Sequence, residues 1–343
     1  MDGASTPTDK ISIFVEPMQM KRPKIILTRR WPEAAEARLR ELFDVSLNAS
    51  DQPLAEAQLM TALRDYDAVL PTVTDTLTAE VLSVEPLRTK ILANFGVGFN
   101  HIDVSAAQAR GITVTNTPDV LTDCTADIAM ALMLGVARRM GESERVIRAR
   151  IWDGWRPDQF LGTKVTGKTL GLIGFGRIGQ AMAKKAHYGF DMPVIFYTLH
   201  PPSDSVCASL GASPRDSIEA VLREADFVSL HCPGGLANRH LMNAERLSLM
   251  KPGAFLINTA RGDVVDNEAL VQALKSKVIA GAGLDVYEGE PKLNPSFLEL
   301  ENAVLLPHIG SATLETRVAM GMRVIDNLIA FFNGEVPKDR VIC

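Results

Sequence analysis

Short apolar runs alternate along this chain with longer stretches in which apolar residues return every third or fourth position. In the first third the runs lie at residues 24–28, 67–70, 90–94 and 112–115. An Ala-, Leu- and Arg-rich stretch from Pro32 to Phe43 separates the first two and predicts a helix. Alternation of this kind predicts a parallel sheet with helices on its faces.

One long helix is predicted from Thr122 to Ile151, apolar at first and polar from Arg138 onward, until Asp153-Gly154 breaks it. A second alternating series follows, with strands at residues 169–173, 194–197, 227–230, 254–258, 280–284 and 304–306. Six strands make a complete dinucleotide-binding sheet. A last helix is predicted from Thr313 to Asn333. The first series has too few strands for that fold, and the last helix has no partner close by in sequence. The simplest α/β architecture therefore has two doubly wound parallel-sheet domains. A Rossmann cofactor domain (residues 122–307) is inserted into a smaller, flavodoxin-like substrate domain (residues 23–121 and 308–343). The crossings near Leu121 and Pro307 would form a hinge over a cleft. Residues 1–22 read as a tail, and Met18 or Met20 offers a functional start just before the first strand.

Composition narrows the class. A chain of 343 residues suits two domains, and 46% apolar content is ordinary for a globular protein. No run approaches the roughly 18 apolar residues that span a bilayer. The polar N-terminus lacks the basic start and apolar stretch of a secretory signal. Cys124, Cys207, Cys232 and Cys343 form no CxxC pair and no ligand cluster. A cytoplasmic protein with reduced thiols and no metal is expected. A net charge of −5 does not favour nucleic acid, but it leaves a small anionic substrate open.

The strand at 169–173 runs into Gly174-Phe175-Gly176-Arg177-Ile178-Gly179, and a helix follows. The first Gly permits a tight turn, the second lets the backbone approach a diphosphate, and the third lets helix and strand pack closely. The diphosphate would sit on unpaired N–H groups at the helix N-terminus. The acid that selects NAD is expected about 20 residues later. Thr198 stands there, followed by Leu199 and His200. With no carboxylate to repel a 2′-phosphate and no Arg to clamp one, the reading leans to NADP(H) with NAD(H) tolerated. His200 is either a donor to that phosphate or a surface residue in a turn.

Three later strands end in ionisable residues: Arg261 in Asn258-Thr259-Ala260-Arg261-Gly262, Asp285 to Glu290 after the strand at 280–284, and His308 in Pro307-His308-Ile309-Gly310-Ser311. Carboxyl ends of strands are where open α/β sheets bind ligands. An Arg, an acid and a His converging there suit carbonyl reduction.

From about Lys24 onward, these segments resemble the D-isomer-specific 2-hydroxyacid dehydrogenase family. The stretches Asn94-Phe95-Gly96-Val97-Gly98-Phe99-Asn100 and Thr115-Asn116-Thr117-Pro118-Asp119-Val120-Leu121 are most similar to its glyoxylate/hydroxypyruvate reductase branch. The resemblance implies NAD(P)H-dependent reduction of a small 2-keto acid, such as glyoxylate or hydroxypyruvate, to a D-2-hydroxy acid. It implies a homodimer joined through the cofactor domain. His308 would be the general acid, since an imidazole can donate a proton near neutral pH. Glu290 would bond the other ring nitrogen, with Glu288 a rival for that place. Arg261 would bind the substrate carboxylate as a fixed, always-charged fork. The N–H groups of Val97 and Gly98 would hold the carboxylate's other side, and Leu70, after its strand, would bound the substrate's methyl or hydroxymethyl end. Asp285 would contact the nicotinamide carboxamide. Thr125, Phe175, Arg177, Ile178, His231, Cys232, Pro233, Thr259, Ala260, His308 and Gly310 would complete the cofactor lining with Thr198, Leu199 and His200. Gly234-Gly235 departs from the polar residues usual in the family and suggests a looser loop. Cys124 reads as a reactive thiol or as a small packed residue beside the hinge. Trp152 and Trp155 either anchor a dimer or reach a partner's active site.

Other readings of the same fold are a phosphoglycerate-type dehydrogenase, a formate enzyme and an NAD-sensing corepressor-like binder. The first is expected to carry extra basic residues and often a C-terminal regulatory domain. The second has Gln where Glu290 stands. The third is expected to bring long partner-binding tails.

Overall fold

The computed structural model describes residues 22–342; the N-terminal tail, with Met18 and Met20, and Cys343 lie outside them. Five short strands form the first sheet: β1 (Lys24–Leu27), β2 (Asp44–Leu47), β3 (Ala68–Leu70), β4 (Ile91–Ala93) and β5 (Thr113–Thr115), all parallel in the order β2-β1-β3-β4-β5. Helices α1 (Glu33–Leu42), α2 (Glu56–Asp65), α3 (Ala79–Leu82) and α4 (Val104–Ala109) connect them. The order is that of flavodoxin-like sheets.

The chain then crosses through α5 (Thr122–Ala137) and α6 (Met140–Arg148). The single long helix predicted here is two. Arg139 takes φ +52°, a left-handed conformation that ends a helix, and α6 starts anew after it. α5 buries Ala126, Ala129, Met130 and Met133, whereas α6 buries nothing.

The second sheet has seven parallel strands, one more than predicted: β6 (Leu170–Ile173), β7 (Val194–Tyr197), β8 (Ala212–Pro214), β9 (Phe227–Leu230), β10 (Phe255–Asn258), β11 (Gly281–Leu284) and β12 (Ala303–Leu305). Their order is β12-β11-β10-β9-β6-β7-β8. Helices α7 (Arg177–Phe190), α8 (Asp204–Ser209), α9 (Ile218–Glu224), α10 (Ala244–Ser248) and α11 (Asn267–Lys275) cover its faces. The two strands that the hydrophobic pattern missed, β2 and β8, are both sheet edges. β8 is three residues long and ends in Pro214, which an edge tolerates because its missing N–H faces no neighbour.

α12 (Leu314–Phe332) returns to the first sheet. Its Met320, Val324, Ile325 and Leu328 pack with Ile25, Leu27 and Leu39. Gly321 allows the close crossing with α1, since a methyl there would lie 2.5 Å from Ala35 Cβ. Beyond α12, Val341 N–H donates to Val114 O at 2.8 Å. Each sheet is covered on both faces by its own apolar clusters, so the carboxyl ends of the two sheets stay available for loops. Among the described residues no helix is long and apolar enough to cross a membrane, and no group of three His, Cys, Asp or Glu is arranged to hold a metal.

Candidate active site

The chain leaves β6 between β7 and β9, where the strand order reverses. Gly174 has φ +92°, and a methyl there would lie 2.6 Å from the His231 carbonyl carbon. Only glycine lets this turn press against the loop after β9. A methyl on Gly179 would lie 2.5 Å from Gly174 O, so the third glycine lets α7 start directly on the turn. Gly176 is different: nothing lies within 4 Å of its open side. No side chain caps α7, leaving the first N–H groups of a 14-residue helix free beside that space. At the end of β10 the buried Thr259 hydroxyl has no protein partner. An open glycine face, free helix N–H groups and an orphaned hydroxyl at the strand ends fit a dinucleotide.

Not every residue expected around the cofactor offers its side chain. Phe175 is buried and stacks on Phe196 with centroids 3.9 Å apart, so only its backbone faces the turn. Arg177 pairs with Asp119 at 2.6 Å, across the gap between the two sheets. His231 turns its ring back onto Ser229, with Nε2 2.9 Å from Oγ, and burial pushes the imidazole down to about 4. Burial also pushes the Cys232 thiol up to about 11, which leaves it protonated and inert. Thr198 is half-buried at the end of β7, while Leu199 and His200 are exposed.

The loop after β11 carries both candidate acids, and the structure separates them. Glu290 Oε1 accepts the Tyr287 N–H at 2.8 Å, and its Oε2 lies 2.8 Å from His308 Nδ1. Burial opposes the Glu290 charge, but His308, the Tyr287 N–H and Arg261 outweigh it and hold the carboxyl below its ordinary range. Glu288 points elsewhere, to His240 Nε2 at 2.9 Å and Arg239 at 3.1 Å. Asp285 receives the N–H groups of Ile309 and Gly310, each at 2.7 Å, and its carbonyl receives the His308 N–H at 2.9 Å. Burial raises the Asp285 carboxyl above its ordinary value. These bonds hold His308 in a left-handed backbone conformation, φ +57°, which is strained for a residue with a side chain. Thr125 at the start of α5 lies beside Gly310.

Arg261 reaches across to the first sheet. A methyl on Gly98 would fall 1.5 Å from Arg261 Nη2, so the guanidinium stands directly against the backbone there. Its Nη1 donates to Ala260 O at 2.6 Å. The N–H groups of Val97 and Gly98 donate to no acceptor among the described residues. Arg317, on the first turns of α12, lies over the Phe95 ring at 5.9 Å and has no carboxylate partner among the described residues. Two cations thus stand against the 95–98 loop.

Leu70 does not face the cleft. It is the last residue of β3 and is wholly buried with Ile25, Leu27 and Ala93. The apolar side chain that this segment exposes is Val73, at 46%. The loop holding Val73 is fixed by Asp75, which accepts from Thr28 Oγ1 at 2.5 Å and from Thr72 N at 2.7 Å. Asn94 and Asn116, which bond carbonyls of the 96–98 loop, were also missed. Their signal was slight: a polar residue directly after an apolar strand.

The sequence profile described as "D-isomer specific 2-hydroxyacid dehydrogenase, NAD binding domain" matches residues 130–310. The glyoxylate reductase of Thermococcus litoralis is 46% identical over 326 residues, 93% of this chain and 97% of its own. The glycerate dehydrogenase of Hyphomicrobium methylovorum is 42% identical over 92% of this chain and 98% of its own. A solved NADPH-dependent glyoxylate/hydroxypyruvate reductase from Sinorhizobium meliloti, in complex with NADP and malonate, superposes with a TM-score of 0.83. It has 35% identity, covering 94% of this chain and 97% of that one.

Proposed function

Because this chain belongs to the D-isomer-specific 2-hydroxyacid dehydrogenase family, an oxidoreductase family that uses a nicotinamide cofactor, we propose that it reduces glyoxylate and hydroxypyruvate to the hydroxy acids, with NADPH preferred. The observation that carries this reading is the Arg261 guanidinium set against Gly98, beside two free N–H groups and near the Glu290–His308 pair. A 2-keto acid has a carboxylate for the first part and a carbonyl oxygen for the second.

When bound, the nicotinamide supplies hydride to the keto carbon. Arg261 and the Val97 and Gly98 N–H groups hold the carboxylate, and Arg317 adds positive potential at the cleft. His308 donates the proton to the carbonyl oxygen from Nε2, the nitrogen not engaged by Glu290. Glu290 orients the ring and stabilises its charged form. Asp285 holds the 308–310 backbone and retains acceptor capacity for the carboxamide. The 174–179 turn and the start of α7 hold the diphosphate, and Thr259 offers its hydroxyl. Val73, not Leu70, bounds the substrate's far end. At Thr198 no carboxylate repels a 2′-phosphate, which favours NADPH. The sheets, linked by crossings near Leu121 and Pro307, close over the substrate as hinged domains.

A second copy of the chain covers the apolar side chains exposed on and after α6, Ile147, Ile151, Trp152 and Trp155 among them, giving a homodimer. Trp155, 80% exposed, is its largest anchor. The three described cysteines are free thiols, in keeping with a cytoplasmic enzyme.

The test is to mix purified protein with glyoxylate, hydroxypyruvate, pyruvate or 3-phosphohydroxypyruvate and either cofactor, and to follow loss of reduced-nicotinamide absorbance. Turnover of the first two with NADPH is expected. No turnover of any acid would sink the reading. A preference for NADH above about tenfold, or about 1.4 kcal/mol, would overturn the cofactor assignment.

A further inference from the structure

We propose that His101 is a positioning residue for the substrate carboxylate, aiming the backbone N–H groups of residues 97–99 into the cleft through Asn94. This rests on the keto-acid reading above and adds a residue to it.

The loop after β4 contains three consecutive carbonyls, all held inward. Gly96 O accepts from Asn94 Nδ2 at 3.0 Å and from Thr117 N at 3.1 Å. Val97 O accepts from Asn116 Nδ2 at 2.8 Å. Gly98 O accepts from Asn94 Nδ2 at 3.0 Å. In a planar trans peptide the N–H points opposite to the carbonyl it is bonded to. Pinning the carbonyls of 96, 97 and 98 therefore turns the N–H groups of 97, 98 and 99 the other way. None of the three donates to an acceptor among the described residues. They form an anion-sized cradle of the kind that successive free N–H groups make, and Arg261 stands against its middle residue.

Asn94 is the hub of this arrangement, and it is fully buried. Its amide carries two N–H donors and one carbonyl oxygen. Both donors are committed to carbonyls, which can only accept. Its third contact, Oδ1 to His101 Nε2 at 3.0 Å, must then run from the ring to the amide. That fixes the tautomer: Nε2 carries the hydrogen and Nδ1 is bare. Burial, with the Arg261 guanidinium beside it, pushes the His101 imidazole down to about 4, so the ring is neutral at physiological pH. The backbone of His101 is itself anchored, its carbonyl receiving the Leu77 N–H at 2.8 Å. Without the ring N–H, Asn94 can rotate its amide and release one or both carbonyls, and the cradle loses its aim.

Three measurements test this. In a long-range proton–nitrogen NMR spectrum of the wild-type protein at neutral pH, His101 should be protonated on Nε2 with an unprotonated Nδ1. The opposite tautomer would overturn the proposal, whether or not any variant folds. In steady-state assays, His101→Ala should raise the KM for glyoxylate about tenfold, with kcat and the KM for NADPH within about twofold of wild type. His101→Gln, whose amide N–H can replace the ring donor, should restore the KM to within about threefold. An unchanged glyoxylate KM in His101→Ala would overturn the proposal while leaving the keto-acid reading intact. A wild-type protein that reduces no keto acid would instead overturn that reading, and with it the proposal.

Discussion

Glu290 Oε2 lies 2.8 Å from His308 Nδ1, and the other nitrogen of that ring has no partner among the described residues. Two residues earlier, Glu288 makes the same kind of contact with His240. The loop after β11 thus presents two carboxylate–imidazole pairs, of which only one belongs with Arg261. Replacing His308 by Ala should lower kcat by about 10² to 10⁴, the usual range for a general acid. Glu290→Ala should cost less, about 10- to 100-fold, since it removes orientation rather than the proton donor. Glu288→Ala should leave kcat within about threefold. A larger loss from Glu288 than from Glu290 in steady-state assays would reverse the assignment.

Gly98→Ala separates geometry from stability. The added methyl would meet the end of the Arg261 side chain, which can swing away, and not the backbone. The fold should therefore tolerate the change, with thermal unfolding within about 2 °C of wild type. The displaced guanidinium should lower kcat/KM for the keto acid by at least about tenfold, the cost of one charge-assisted bond.

The glycines of the cofactor turn should fail in different ways. Gly176→Ala adds a methyl where no protein atom lies within 4 Å, so unfolding should be unchanged while NADPH affinity falls about tenfold or more in a fluorescence titration. Gly174→Ala places a side chain at φ +92° and within 2.6 Å of His231. It should lower both affinity and stability, the latter by about 1–3 kcal/mol in urea. Equal behaviour of the two variants would contradict the distinct roles given to them.

Glu36 makes the first sheet's side of the molecule acid-sensitive. Its buried carboxylate bonds Arg30 at 2.7 and 2.8 Å, Arg40 at 3.1 Å and the Trp31 N–H at 2.8 Å. Burial raises its pKa, but these partners prevail and hold it below the ordinary value of 4.5. A depressed folded-state pKa contributes stability above the unfolded value, which is lost as pH falls through the folded one. Wild-type stability in urea should therefore drop on going below pH 4.5, and Glu36→Gln should flatten that drop. Glu36→Ala should cost about 1–3 kcal/mol at neutral pH, because the Trp31 N–H loses its partner.

Much of this was legible in the chain. The central strands could be read because they are buried on both faces and therefore run continuously apolar; β7 and β9 match their predicted bounds. Two of the four edge strands, β2 and β8, were not legible, since they are half exposed and carry polar residues. The break at Arg139 was hidden because a left-handed residue other than Gly has no reliable composition signal. Leu70 was placed in the cleft by assuming that its strand had already ended. It is the strand's last residue and buried, whereas Val73, three residues further on, is exposed.

The sequence by itself determined the alternation of strands and helices, the glycine spacing of a dinucleotide turn, and the identities of the Arg, Glu and His at successive strand ends. These depend on local periodicity and on the conformational range of single residues, which neighbours in the chain decide. Tertiary structure alone decided that Glu290 and not Glu288 meets His308, that Arg261 crosses to Gly98, and that Asn94 and His101 stand behind the 97–99 loop. The first two relationships join residues from different strands and, for Arg261 and Gly98, different sheets, while the third depends on how the loop after β4 folds back on itself. The first two distances depend on how the sheets twist and pack, which no local pattern encodes.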